Sequence, residues 1–407
     1  LSPAAGRPLR LALLHYTAAP ITGGVESVVA TQARLLSEAG HDVRAIAGRG
    51  DAELVPEIDS RHPAVERVTG CLAGGDPATD AFEALRARIT SLLGPLLADR
   101  EVVLAHNVLT MPFNLPLAAA LGDLGLPVVA WTHDVAWVNP RYAAYHRPGW
   151  PWSILHEPQP GARYVAISQV RQGEIATTLG LRPADVAVIP NGVDPAGFWG
   201  LGPTIRELAR RAGLEGAAPL VLVPVRITRR KRLELAVEAA ALLRSRHPGL
   251  RLVVSGPLGP HASDNLAYAA ELRQLRARLG LDGVVTFLTD LAAHGGEHPV
   301  DDRAIAELYR MADLVLLPSE SEGFGLPVLE AALSRAPLVH ADIPVLREIA
   351  AGDAWTFPAG SGSEAVAHAA EQALASRPAR LRRRALLGYG WPSVLERMER
   401  VLEASRG

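Results

Sequence analysis

The chain predicts an α/β architecture: two doubly wound domains, each built on a parallel sheet. Three observations carry this. At 407 residues it is too long for one ordinary hydrophobic core. Its first 47 residues read as strand, helix, strand, the unit that makes strands parallel. Near residue 320 a buried apolar run feeds a glycine-containing loop and then a helix with proline in its first turn, the geometry of a ligand-binding sheet edge.

In order, residues 9–16 predict a first strand, 25–39 a helix and 40–47 a second strand. Gly23 and Gly24 precede that helix, where backbone N–H groups can meet a phosphate, although a lone Gly-Gly is as often a plain helix entry. Further strands are expected at 101–105, 127–131, 163–167 and 186–189. His106-Asn107 and Thr132-His133-Asp134 directly follow two of them, on the rim where open α/β sheets bind ligands; a capping histidine is the ordinary alternative. Residues 137–160 hold prolines and aromatics without clear periodicity and predict a long loop or broken helix, with most rings packed on their own domain. Asn191-Gly192 supplies a turn at the end of the first domain, so the boundaries are set at 1–194 and 195–390, with a last helix at 391–407.

The second domain opens on a strand near 220–225 that carries Arg226 at its carboxyl end; Lys231 begins the next helix. Lys231 is the one lysine among 41 basic residues, and a lysine that persists where arginine has replaced the rest is a candidate for a role needing a compact charge. Two cations at a strand–loop–helix junction suit a diphosphate. Arg229, Arg230 and Arg232 read equally as a solvated basic run. Strands follow near 250–255 and 284–288, with helices near 264–279 and 304–311. His294, Glu297 and His298 sit among glycines and read as a loop rather than a metal site. Leu314-Val315-Leu316-Leu317 is a buried strand. After it, Glu322 lies on the loop and Glu330 one turn inside the following helix, so both carboxylates can reach hydroxyls at one crevice. Gly323, Phe324, Gly325 and Leu326 bring backbone amides to the same spot, though two solvated glutamates on an ordinary turn would look similar. Arg382-Arg383-Arg384 reads as a solvated helix face, with anionic lipid as a minor possibility.

The composition narrows the classes. Apolar residues at 48% and charged residues at 21% are those of a globular enzyme, and a net charge of −2 gives no footprint for nucleic acid. A single cysteine, Cys71, forms no internal disulfide, which fits a cytoplasmic setting. No apolar run spans a membrane, and residues 1–6 lack a signal peptide's apolar core. Neither a Gly-Lys-Ser/Thr phosphate loop nor a Gly-x-Gly-x-x-Gly fingerprint is present. No metal ligand set and no cofactor are expected.

The stretch from Glu322 to Glu330 resembles the Glu-x7-Glu signature of the retaining nucleotide-sugar glycosyltransferases of family 4, with the GT-B fold. The spacing from Arg226 to Lys231 resembles the same family's diphosphate-binding segment, although Val225 stands where the family usually has glycine. Gly23-Gly24, His133, Ser168 and the linker around 189–194 add support, so the resemblance covers nearly the whole chain. It implies two Rossmann-like domains facing across a cleft, the first for the acceptor and the second for the nucleotide-sugar, with the last helix packing back on the first domain. It implies that Arg226 and Lys231 hold the leaving diphosphate, that Glu322 and the amides of 323–326 hold the sugar, that Glu330 holds the ribose, and that His133 orients the sugar. The implied reaction is metal-independent transfer of a hexose, from a UDP-glucose or GDP-mannose type of donor, to a hydroxyl of a sugar, small molecule or lipid. Membrane contact would be peripheral at most. A GT-B phosphorylase, an NDP-sugar epimerase and a non-catalytic sugar-nucleotide-binding module remain as alternatives.

Overall fold

Seven parallel strands make the first sheet: β1 (Arg10–His15), β2 (Asp42–Ala47), β3 (Glu53–Leu54), β4 (Val102–His106), β5 (Val128–Thr132), β6 (Ala162–Ala166) and β7 (Val186–Val188). Their spatial order is β3-β2-β1-β4-β5-β6-β7. The computed structural model describes residues 7–214, 216–258, 262–291 and 300–405. His294, Glu297 and His298 lie outside the described residues.

Both faces of the sheet's centre are covered, which is why β4 and β5 are buried along their whole length, whereas the outer β2 and β3 carry Asp42, Arg44 and Glu53. Leu11 and Leu13 enter one core with Val29, Leu36, Val394 and Met398; Ala12 and Leu14 enter the other with Leu85, Ile89 and Leu93. The period-two alternation of β1 therefore feeds two layers of helices. The last helix, Trp391–Ala404, belongs to the first of these layers. Its Trp391 ring lies so close to Gly192 that a Cβ there would sit 2.3 Å from the indole, so only glycine admits the contact.

Six parallel strands make the second sheet: β8 (Leu220–Val223), β9 (Arg251–Val254), β10 (Val285–Phe287), β11 (Leu314–Leu317), β12 (Leu338–Asp342) and β13 (Trp355–Pro358), in the order β10-β9-β8-β11-β12-β13. The chain divides into two units, Leu1–Gly192 with Trp391–Gly407, and Val193–Gly390. Each is a doubly wound α/β domain, and the strand order reverses once in each, between β1 and β4 and between β8 and β11. Ligands of such sheets bind beyond the carboxyl ends of the strands at the reversal.

Several local expectations need correction. Lys231 does not begin a helix: it ends a 3-10 turn, Arg229–Lys231, and the helix Leu233–Leu243 starts after Arg232 at φ 49°. Arg226 lies three residues beyond the end of β8 rather than at it. The segment 137–160 is, as expected, a loop of broken helical pieces, and these are 3-10 turns, two of them Pro140–Tyr145 and Trp152–Leu155. Its rings pack on their own domain, Trp137 against His156 at 4.2 Å and Trp150 against Phe82 at 5.6 Å. Arg382 is not on a solvated face. Its guanidinium pairs with buried Asp313 at 2.8 Å, stacks 4.7 Å over Trp199 and donates to the carbonyl of Arg310.

Candidate functional site

At the reversal of the second sheet, the loop after β8 carries the cations and the loop after β11 carries the acid. Lys231 Nζ forms an ion pair with Glu322, and both side chains are almost fully buried. Ser319 donates to the same carboxylate at 2.6 Å, Arg230 donates to the carbonyl of Ser321 at 3.0 Å, and the Glu320 N–H donates to the carbonyl of Arg230 at 2.8 Å. The two loops are thus stitched together by backbone and side chains. Burial pushes the Lys231 ammonium below its usual range, against the pull of Glu322.

Arg226 differs from Lys231. It is exposed and, among the described residues, makes no ion pair or hydrogen bond, yet its charge is felt at Lys231. Gly325, at φ 91°, precedes the helix Leu326–Ser334, and a Cβ there would meet Leu346 at 2.8 Å. The N–H groups of Gly323, Phe324, Gly325 and Leu326 donate to no acceptor among the described residues. The space beyond Gly323 is open, and the Phe324 and Leu326 side chains are exposed. Glu330 is exposed and accepts from the Tyr309 hydroxyl at 2.5 Å, which, after burial, holds the phenol well above its usual range. The structure therefore gathers Arg226, Lys231, Glu322 and the amides of 323–326, with Glu330 one helical turn further on.

At the reversal of the first sheet three histidines cluster. His15 ends β1, His106 ends β4, and His133 follows β5. His133 Nε2 lies 3.2 Å from His106 Nδ1, and His15 Nδ1 lies 3.0 Å from the carbonyl of His106. Asn107 Oδ1 accepts the N–H groups of His133 at 2.8 Å and Asp134 at 3.1 Å, which fixes that turn. Among the described residues His106 Nε2 is buried without a partner. An unpaired lone pair costs less than an orphaned N–H, so the His106 proton belongs on Nδ1 and is donated to His133. His133 then keeps its own proton on Nδ1. Burial, followed by the charge of His15, pushes His133 down to about 4, so it is a neutral donor near pH 7.

An open pocket of about 640 Å³ lies beside it, lined by Gly24, His133, Asp134, Ser168, Arg171 and Glu174, among others. Arg171 pairs with both Asp134, at 3.2 Å, and Glu174. Gly23 precedes the helix Gly24–Glu38, and the Glu26 carboxylate folds back over it so closely that a Cβ at Gly23 would clash. Thr17 donates to Glu26 at 2.6 Å. Among the described residues no group of three or more His, Cys, Asp or Glu is placed to hold a metal ion, and no helix is long and apolar enough to cross a membrane.

The histidine cluster makes acid stability a direct readout. His15, His106 and His133 are all lowered from 6.5, primarily by burial. As pH falls below 6.5 the unfolded chain takes up protons the folded chain refuses, so stability is lost with acid; for His133 the loss runs down to about pH 4. That residue alone accounts for about 3 kcal/mol over the window. Urea unfolding at pH 7 and pH 5 is expected to show a smaller difference for His133→Gln than for wild type; an equal difference would place the acid sensitivity elsewhere.

A family model described as Glycosyl transferases group 1 matches residues 205–385, and one described as Glycosyltransferase Family 4 matches residues 22–196. A D-inositol 3-phosphate glycosyltransferase of Kribbella flavida is 31% identical over 368 residues, covering 84% of this chain and 81% of the relative. A D-inositol 3-phosphate glycosyltransferase 2 of Catenulispora acidiphila is 30% identical over 381 residues, covering 87% of this chain and 84% of the relative. The chain belongs to the group 1, family 4 glycosyltransferases.

In this glycosyltransferase the residues that sequence reasoning passed over are partners rather than motif members. Ser319 and Tyr309 hold the two glutamates, Glu26 lies against Gly23 at the start of the first helix, and His15 stands behind His133 together with His106, the one of these already placed on the rim by sequence. His106 and His15 each end a strand, and that position was the available signal. Tyr309, on the preceding helix Asp302–Met311, offered none.

Proposed function

We propose that this glycosyltransferase moves a hexose from a nucleotide diphosphate sugar to a hydroxyl acceptor, without metal and with retention at the anomeric carbon. The observation that carries it is Arg226: an exposed, unpaired cation beside Lys231 and four free backbone amides. Fixed donors of this kind stabilise the charge that grows on a departing diphosphate. In this reading Arg226 and Lys231 take the diphosphate, Glu322 and the amides of Gly323, Phe324, Gly325 and Leu326 take the sugar, and Glu330 takes the ribose, oriented by Tyr309.

Glu322 is an unsuitable covalent nucleophile, because Lys231 and Ser319 already occupy one of its oxygens. The acceptor oxygen attacks on the face the diphosphate leaves. Its proton passes to the departing phosphate oxygen as one carbon–oxygen bond forms and the other breaks. The first domain takes the acceptor, with His133 as a neutral N–H donor to a sugar hydroxyl. The Glu26 carboxylate folded against Gly23 places negative charge beside the first helix start, so Gly23 and Gly24 serve as a close approach for a hydroxylated substrate rather than as a phosphate nest.

The test is a melting-temperature panel of UDP-, GDP-, ADP- and TDP-sugars in the presence of a chelator. One base is expected to raise the melting temperature by mass action. Arg226→Ala should weaken that donor about 10- to 100-fold, since a hydrogen bond to a charged group contributes about 1.5–3 kcal/mol. The unliganded melting temperature should not move, because Arg226 has no ion-pair or hydrogen-bond partner among the described residues. Undiminished donor binding by Arg226→Ala would remove the diphosphate role.

A further inference from the structure

The pocket in the first domain has a charge balance that bears on the acceptor's chemistry, if the acceptor binds there as proposed above. Two helix starts reach it, those of Gly24–Glu38 and Gln169–Leu179, and each offers about half a positive charge. Arg171 adds one more. Against these stand three carboxylates. Glu26 folds over the first helix start, and Asp134 and Glu174 flank Arg171 at the second. His133, the remaining titratable group on the lining, is neutral. Glu26 lies off the lining, yet the charged side chains on it, Arg171 against Asp134 and Glu174, are already net negative, and Arg171 is not left without a carboxylate.

A phosphate favours an uncommitted cation, and here the one cation on the lining is paired twice while a carboxylate stands beside each helix start. Hydroxyls need a mixture of acceptors and neutral donors, and Asp134, Glu174, Ser168 and the His133 N–H supply both. Like charge placed against a wrong substrate is an effective means of rejection. We propose that the acceptor is a polyhydroxylated molecule carrying no phosphate, and that Asp134 and Glu174 exclude its phosphorylated counterparts. The chain would thereby differ from the relatives described by their action on inositol 3-phosphate.

The experiment measures nucleoside diphosphate release by the full chain with its responding donor, using matched acceptors: inositol against inositol 3-phosphate, and glucose against glucose 6-phosphate. Unphosphorylated members are expected to have kcat/KM at least about tenfold higher, as like-charge juxtaposition predicts. Asp134→Asn with Glu174→Gln should narrow that ratio about fivefold or more by raising use of the phosphorylated member. Glu174→Gln alone, which leaves Arg171 its Asp134 partner, should move the ratio in the same direction and guards against misfolding of the double variant. Preference for the phosphorylated members, or a ratio both variants leave unchanged, would overturn the proposal. So would donor binding with no turnover of any pair. Failure of every donor to bind would instead overturn the glycosyl-transfer reading beneath it.

Discussion

Lys231→Ala is expected to lower turnover about 100- to 1000-fold, the range seen when one fixed donor to a developing negative charge is removed. It is also expected to destabilise the second domain by about 3–5 kcal/mol, because it leaves the buried Glu322 carboxylate without its counter-ion. The sequence resemblance assigns the lysine to the diphosphate alone; the second effect follows from its ion pair with Glu322. Lys231→Met combined with Glu322→Gln separates the two effects. A neutral pair of similar volume should recover most of the stability, with Ser319 still bonded to the amide, while turnover stays low. Recovered turnover in the double variant would mean that the ammonium only neutralises Glu322 and never meets the diphosphate.

Arg382→Ala is expected to have the largest effect on stability away from the site, about 3–5 kcal/mol in urea unfolding. Asp313 is 2% exposed and sits at the start of β11, where its other oxygen accepts the N–H of Leu220 at 2.8 Å. Removing the guanidinium strands that carboxylate, which burial already pushes above its usual range. It also removes the cation over Trp199 and the bonds to the Arg310 and Met311 carbonyls. Asp313→Asn in the same chain should restore part of the loss. A cost under about 1 kcal/mol, the ordinary worth of a surface pair, would mean that Arg382 is solvated after all.

What the sequence revealed follows from which physics is local. The central strands β8 and β11 of the second sheet were legible because both faces are buried, so Leu314–Leu317 reads as an uninterrupted apolar run, whereas the half-exposed edge strand β13 was not read. The cations and glutamates were legible because spacing along a strand–loop–helix junction determines which groups share a sheet edge. Residues 48–100 remained unread. They hold the helices Pro63–Gly74 and Thr79–Leu97, and the second is obscured by an internal Pro95 and by Ala78, a poor cap held at φ 47°. Arg382 was misread because a run of three arginines looks solvated when Asp313, 69 residues earlier, is not in view. The Lys231–Glu322 pair was hidden for the same reason. Each member was assigned to a ligand, and only the fold, which brings the loops after β8 and β11 together, reveals that they also bind each other.

The most direct measurement is product analysis by proton NMR of a reaction containing the responding nucleotide-sugar, an unphosphorylated acceptor and a chelator. Retaining, metal-independent transfer predicts one nucleoside diphosphate released per glycoside formed, with the first product carrying the donor's anomeric configuration. An inverted product, or transfer that appears only when a divalent metal is restored, would contradict it.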